Sequence, residues 1–420
     1  MNPTVSSEIG DGSAPGKAAR FDVAIAGGGY VGLSLALALK AGEPSLSVAI
    51  IDPAPPGAAA RDTRASAIAP AARRMLEALG VWQAIAGEAE AITEMVVTDS
   101  RLRDPVRPVF LTFAAEAPED GPLAHMVPNS VLVGQLAARA SEAGVVRITG
   151  AVADFTARSA GMDVTLADGS AFACSVLAAA DGAKSRLRAL AGIHTVGWDY
   201  GQSGIVATVE HELPHGGRAE EHFLPAGPFA ILPLPGNRAS LVWTEKTEAA
   251  ERLVASDAFT LAFELERRFG HRLGAIKLVG APRAFPLGLH IARSFVAPRM
   301  ALCGDAAHAI HPIAGQGLNL GFKDAAALAE VVIDAARLGL DPGSPDVLAR
   351  YERWRRFDTV QMGMVTDVLN RLFSNDNGAL RVIRDIGLGL VERMPELKRR
   401  FIDEAREGAS GPKLLRGEAV

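Results

Sequence analysis

Residues 22–42 read DVAIAGGGYVGLSLALALKAG, with glycines at 27, 28, 29 and 32 directly after an apolar run. That run, FDVAIA (21–26), suits a buried parallel strand. The segment after the glycines, YVGLSLALALKAG, is apolar on most faces and ends at Gly42, a natural helix C-terminal glycine. LSVAIID (46–52) follows as a second buried strand, so the whole is one βαβ unit. Gly27, Gly29 and Gly32 fit G-x-G-x-x-G. The first allows a tight turn, the second lets backbone approach a pyrophosphate, and the third lets helix pack on strand. Phosphate oxygens then meet free N–H groups and a partial positive charge at the helix N-terminus. Asp52 ends the second strand, where a ribose-binding carboxylate belongs. A tight turn in an ordinary α/β protein is the alternative reading of the glycines alone. Their placement between strand and helix, together with Asp52, favours a dinucleotide. An acid at this place disfavours a 2′-phosphate, which points to NAD or FAD rather than NADP.

Outside this unit, size and composition set the bounds. A chain of 420 residues makes two or three structural units by length, and 49% apolar residues supply a large core. With 43 basic against 48 acidic residues the net charge is -5, and no basic stripe invites nucleic acid. Cys174 and Cys303 stand far apart, so a disulfide framework is not expected and a reducing cytoplasm fits. No apolar run reaches the roughly 18 to 20 residues that cross a bilayer. Residues 1–20 are polar and Gly/Ser-rich, without the apolar centre of a signal peptide, and read as a flexible tail.

Further along, GIVATVE, FAILPLPG and RASLVWTE (within 201–245) look like neighbours in an antiparallel sheet, as do short runs in 95–113. VPNSVLVGQLAARASEAG is expected to be a helix with Asn129 or Ser130 as its N-cap. VVRITGAVADF and MDVTLADGSAFACSVLAAADG resemble a meander, with Asp168-Gly169 as a hairpin turn. RMALCGDA (299–306) is another buried strand, a long helix begins near Gly317, and the chain after 345 is mostly helical. Sheet-forming and helical stretches interleave, which implies two domains that exchange the chain.

Two more motifs choose between the dinucleotides. VLAAADGAKSRLR (176–188) puts Asp181-Gly182 at the end of a buried strand, followed by Ser185 and Arg188. MALCGDAAHAIHPIAGQGLNLGFKDAAAL (300–328) puts Gly304-Asp305 at the end of another. With these three motifs in this order, residues 21–410 resemble the class A FAD-dependent aromatic hydroxylases, which share the p-hydroxybenzoate hydroxylase fold. YGQSGIVATVEHE, FLPAGPFAILPLPG, GLNLGFKDAAALAEV and LNRLFSNDNGALRVIRDIGL resemble the ubiquinone-biosynthesis hydroxylases in particular.

The resemblance implies an α/β fold: a Rossmann-like FAD-binding domain interleaved with an antiparallel-sheet substrate domain, and a helical C-terminal region. The expected FAD-binding domain takes 21–94, 125–190 and 285–373. The substrate domain takes 95–124 and 191–284, and 374–420 is the helical C-terminal region. Beside Gly27, Gly29, Gly32 and Asp52, it implies that Asp305 accepts from a ribityl hydroxyl and Arg64 reaches the pyrophosphate. Asn129 is placed for a polar contact to the ribityl or pyrophosphate region, and Val152 for a backbone contact to adenine. The Asp181-Gly182 pair serves both FAD and the nicotinamide cofactor with Arg188, a plain turn being the alternative. Pro312 and the turn AGQGLN open the long helix, whose N–H groups at Gly317, Leu318 and Asn319 point to the flavin pyrimidine edge.

The implied reaction is hydroxylation of a polyprenylated phenol through a flavin C4a-hydroperoxide, with O2 and NAD(P)H as a transient co-substrate. Phe229, Leu232, Pro233 and Pro312 are candidates to line the substrate pocket, ordinary sheet core being the alternative for the first three. A lipid-tailed substrate implies a cytoplasmic enzyme in peripheral contact with the inner face of the membrane, or one fed by ubiquinone-biosynthesis complex proteins. The basic run LKRR (397–400) is either a lipid contact or a solvated helix face. His308 and His311 form H-x-x-H without further ligands, so no metal is expected. His211, His215 and His222 are expected in a polar loop. A flavin-dependent prenyl reductase and a non-catalytic FAD-carrying scaffold remain the alternative functions.

Overall fold

The computed structural model describes residues 19–102, 109–114, 121–374 and 411–420. Residues 1–18 of the expected tail, the LKRR run and residues 375–410 of the expected helical C-terminal region lie outside these residues. Arg20, assigned to the tail, instead opens the first strand, where it pairs with Ala173.

The strand Arg20–Ala26 is the centre of an eight-stranded sheet. It pairs in parallel with Ala171–Ala179 on one side and Val48–Asp52 on the other. Met300–Leu302 and Val146–Thr149 extend the parallel set outward. Val23, Ala24 and Ile25 are at most 1% exposed, as strands covered on both faces require. Two helices, Tyr30–Gly42 and Gln316–Arg337, pack closely on each other: at Gly321 an added Cβ would lie 2.6 Å from Val31 Cγ2. Gly42 ends its helix but does not take the left-handed cap conformation. Its reason is proximity: an added Cβ would lie 2.4 Å from Ile333 Cδ1. Of the expected meander, Val152–Arg158, Gly161–Leu166 and Ala171–Ala179 form one, turning at Gly169 with φ +88. Val146–Thr149 leaves it for the parallel edge because it pairs with Val48–Asp52.

A second eight-stranded sheet contains Thr195–His211, Arg238–Lys246, Gly227–Leu234 and Arg218–Leu224 as consecutive neighbours, with Glu94–Asp99 beyond them. Alternation along these strands divides their side chains between two faces. Ile205, Phe229, Ile231 and Trp243 face the helix Ala258–Phe269 and form a core with Leu261, Leu265 and Phe269. Ala219, Leu232 and Leu234 face the first domain and pack with Met126, Ala65 and Ala67 of a small three-stranded sheet. The strand Ile276–Ala292 stays paired to Thr195–His211 as far as Ala292, past the expected boundary at 284. The long helix Pro345–Phe373 then ties the domains together. Tyr351 and Arg355 are buried against the first, while Gly363 and Phe373 meet the second.

A candidate FAD site

The three glycines have three separate jobs. Gly27 sits at φ +118, and an added Cβ would lie 2.2 Å from the Ala180 carbonyl oxygen. At Gly32 an added Cβ would lie 2.0 Å from the Gly27 carbonyl oxygen. Gly29 meets nothing within 4 Å. The outer two therefore lock strand to strand and helix to loop, while the middle one leaves its backbone bare toward a cavity of about 420 Å³. Gly27, Gly29, Asp52, Val152 and Asp181 all line that cavity. Asp52 accepts from the N–H groups of Gly28 and Ala54, so its carboxylate fixes the loop as well as facing the cavity. Asp181 Oδ2 accepts from Leu187 N–H at 3.2 Å, while the buried Oδ1 has no partner. A ligand donor is the natural complement of that oxygen.

The second loop is held from behind. Gly304 adopts φ +60, and Asp305 follows at the tip of a short 3₁₀ turn. By surface area Asp305 is exposed, yet crowding by protein raises its carboxyl above the ordinary range, with His308 and Arg64 opposing. Asp324, fully buried two turns into the long helix, accepts from Gly304 N–H at 2.8 Å, His308 Nε2 at 2.6 Å and Arg355 Nε at 2.8 Å. Burial alone would raise the Asp324 carboxyl; His308 and Arg355 outweigh it and hold the group below the usual range. Arg188 links the motifs, donating to Ala306 O at 2.8 Å and Ala183 O at 2.9 Å. Sequence reasoning missed Asp324 and Arg355, since charged residues in helical runs ordinarily face water.

The third element is the N-terminus of Gln316–Arg337. Gly315 caps it at φ +64 with no side-chain hydrogen bond. The first N–H groups of a helix have no internal partner, which covers Gly317 and Leu318 but not Asn319, expected from the sequence to be free as well: its N–H lies four residues past the cap and is taken by the Gly315 carbonyl. Gly317 meets nothing within 4 Å, leaving bare backbone there. The Asn319 side chain is a clamp: it accepts from Ala69 N–H at 2.9 Å and donates to Ala67 O at 3.0 Å. Asn129 does not cap its helix; Pro128 holds that position. The Asn129 side chain instead accepts from Ser66 Oγ at 2.7 Å and donates to Asp62 at 3.3 Å. Asp62 also pairs with Arg64 at 2.8 Å, and the Arg64 guanidinium lies 5.4 Å from the centre of the Phe285 ring. Tyr30 belongs to the same group: burial and the Asp305 carboxylate both push its phenol up. A Tyr between the glycines gave no signal of its own.

Among the substrate-side candidates, Leu232 faces the first domain. Phe229 points the other way into the helix-covered core and is 0% exposed, and alternation puts Pro233 on its side. Pro312 precedes the 3₁₀ turn that opens the long helix. The histidines are not in a polar loop. His211 ends a strand, His222 lies within one, and both are buried because the sheet is covered on each side. His215 alone stands between strands, bonded to the Leu234 and Gly236 carbonyls. His308 is taken by Asp324, and His311 packs against Tyr200. Among the described residues no group of three His, Cys, Asp or Glu side chains is placed to hold a metal.

Bare backbone at Gly29 and Gly317, the unpartnered Asp181 oxygen and an uncapped helix N-terminus fit the pyrophosphate, ribose and ring of one extended dinucleotide. Residues 20–362 match the FAD binding domain family. The chain is 45% identical to ubiquinone hydroxylase UbiL of Rhodospirillum rubrum, over 94% of this chain and 92% of that protein. It is 35% identical to 3-demethoxyubiquinol 3-hydroxylase of Escherichia coli, over 91% and 98%. The crystal structure of p-nitrophenol 4-monooxygenase PnpA from Pseudomonas putida superposes with a TM-score of 0.76 at 19% identity, over 96% of this chain and 100% of that one. Fold and site together define a flavoprotein hydroxylase of the class A monooxygenase type that binds FAD. Within that class the chain belongs to the FAD binding domain family and its ubiquinone-hydroxylase branch.

Proposed function

We propose that this protein uses FAD, NAD(P)H and O2 to hydroxylate the aromatic ring of a polyprenylated phenol in ubiquinone biosynthesis. The observation that carries the reading is the sheet face bearing Leu232. It lies against Ala65 and Ala67, and Ala67 borders Gly315 at the helix N-terminus. A flat apolar ring bound on that face sits between the second sheet and the flavin edge. The names of the relatives support the same chemistry and substrate class.

Bound FAD would supply the chemistry, taking hydride from NAD(P)H and delivering one oxygen atom from O2. The protein's own residues hold and shield it. Gly29 leaves backbone bare for the pyrophosphate, the free Asp181 oxygen accepts from a donor group of the bound cofactor, and Asp305 meets the ribityl chain. The N–H groups of Gly317 and Leu318 stabilise negative charge on the ring edge through the helix dipole. The apolar wall of Leu232, Leu234 and Met126 excludes water from the substrate side. NAD(P)H binds transiently, since the one glycine fingerprint is used by FAD.

Access for a lipid tail is part of this reading. Among the described residues no helix is long and apolar enough to cross a membrane. The outer side of the helix Pro345–Phe373 exposes Phe357 by 77%, Met364 by 62% and Val368 by 59%, which supports peripheral contact. The decisive assay supplies purified protein with FAD, NAD(P)H, a prenylated phenol and ¹⁸O-labelled O2. One labelled oxygen in the product supports the proposal; oxidation of NAD(P)H with peroxide as sole product refutes it.

A further inference from the structure

The strand Arg218–Leu224 carries two consecutive glutamates that alternation sends to opposite faces. Glu220 points to the helix-covered side and is paired there with His222 and Arg272. Glu221 points to the other side, toward the first domain, and is 5% exposed. No hydrogen bond or ion pair serves its carboxyl among the described residues.

Its surroundings are small and apolar. Along its own strand stand Ala219 and Phe223, directly across lie Ala230 and Val97. Ala219 belongs to the cluster with Leu232, Ala65 and Ala67, and Phe223 stacks on Phe373 of the final helix at 4.1 Å. Glu221 therefore stands between the two clusters, on the face we assign to the substrate and one residue pair from Leu232. A carboxyl left without a partner in such a place is costly. A fold that only needed packing would place an apolar side chain here.

Resting on the function proposed above, we propose that Glu221 is a catalytic residue that accepts the proton of the substrate's phenolic hydroxyl. The phenol O–H bond breaks, the proton goes to a Glu221 oxygen, and the electron pair stays on the phenolic oxygen and enriches the ring. A ring carbon then forms a C–O bond to one oxygen of the O2 that NAD(P)H has reduced, the O–O bond breaks, the phenolic oxygen becomes a carbonyl, and the second oxygen leaves at the level of hydroxide. The ring carbon's hydrogen leaves as a proton that turns this hydroxide into water, and as aromaticity returns the Glu221 proton goes back to the phenolic oxygen. Glu221 ends as it began.

Burial pushes the Glu221 carboxyl up to about 7, where a general base works best near neutral pH. Other charged groups on the elements around this face are Asp99, Arg283, Arg64, Asp367 and Arg371, and none contributes to that shift. Glu221 accepts a proton only above its own value, so hydroxylation rises with pH through the region of 7.

The test compares wild type with Glu221→Gln and Glu221→Asp as FAD-loaded proteins. The Gln variant is expected to keep FAD and to be bleached by NAD(P)H at the wild-type rate. Its hydroxylation is expected to fall about 10²- to 10⁴-fold, the usual weight of general base catalysis. The pH limb disappears in Glu221→Gln and survives, with lower kcat, in Glu221→Asp. A second readout needs no turnover: the ultraviolet difference spectrum of a prenylated phenol bound to the oxidised holoenzyme. Above pH 7 a phenolate band is expected with wild type and not with Glu221→Gln. Equal hydroxylation with the same pH limb, or equal phenolate bands, overturns the assignment. A wild-type protein that ionises the bound phenol but forms no hydroxylated product contradicts the proposed reaction and leaves Glu221 as the base.

Discussion

At the scale of single residues, space and charge around each side chain separate structural from ligand-facing roles. Gly32→Ala forces a Cβ against the Gly27 carbonyl, so the loop must move. The expected loss is about 1–3 kcal/mol of apoprotein stability, read by denaturant unfolding. Gly29→Ala meets open space and should leave apoprotein stability unchanged. It should weaken FAD at least about tenfold, or ~1.4 kcal/mol, in a fluorescence titration. Glu221 gives a pH prediction of definite sign. Its folded-state value of about 7 lies above the ordinary 4.5, so the folded state keeps a proton that the unfolded chain releases. Wild type therefore loses stability as pH rises from 4.5 through 7, and Glu221→Gln does not. At pH 8 the variant's apoprotein should be more stable by up to about 3 kcal/mol. Equal pH dependence would show that Glu221 is not buried as described. The close approaches at Gly27 and Gly32 were legible because backbone geometry dictates residue type. Glu221 was not, because AEEHF (219–223) reads as a polar run until both faces of its sheet are covered.

Elements position the groups that we propose hold the cofactor. Strand ends supply Asp52, Asp181 and Asp305, and a helix start supplies the N–H groups at 317 and 318. Short apolar runs bounded by glycine make these ends readable in the amino-acid sequence. The support behind them was not readable, because it depends on which side of a helix is covered. Asp324 lies in GFKDAAAL, and the loop of Gly304 and His308 together with Arg355 of the helix Pro345–Phe373 encloses it. Asp324→Asn removes the charge that Arg355 and His308 compensate. Breaking such a buried pair is expected to cost about 3 kcal/mol of stability and to loosen FAD, both measurable by thermal unfolding with and without the cofactor. Because the Asp324 value is depressed, its stabilisation exists at neutral pH and is lost as acid protonates it below the ordinary carboxylate range. The variant should show a flatter acid limb. Phe229 and Leu232 make a parallel point: three residues apart in one strand, they serve different faces, and only the partner elements reveal which face meets the first domain.

For the whole molecule, the interleaving of two domains was legible from the alternation of strand-like and helical stretches. The exact exchange points were not, since the strand Ile276–Ala292 and the helix Pro345–Phe373 each run across a boundary that composition does not mark. The helix acts as a brace: Asp367 accepts from Trp198 Nε1 at 3.0 Å and Tyr200 Oη at 2.9 Å of the second sheet. Asp367→Ala leaves those donors and the Arg371 charge without their acceptor. It should cost about 2 kcal/mol and raise peroxide formation per NAD(P)H consumed, as the substrate sheet loosens over the flavin. Unchanged coupling would show that the brace does not control the site.

All these expectations presuppose that three strand-end loops and one helix start enclose a single flavin. Flavin stoichiometry of the purified chain, from its absorption spectrum and the FAD released on denaturation, tests this most directly. One FAD per chain is expected, falling toward zero in Gly29→Ala with the fold intact. A chain that stays colourless after incubation with excess FAD would contradict it.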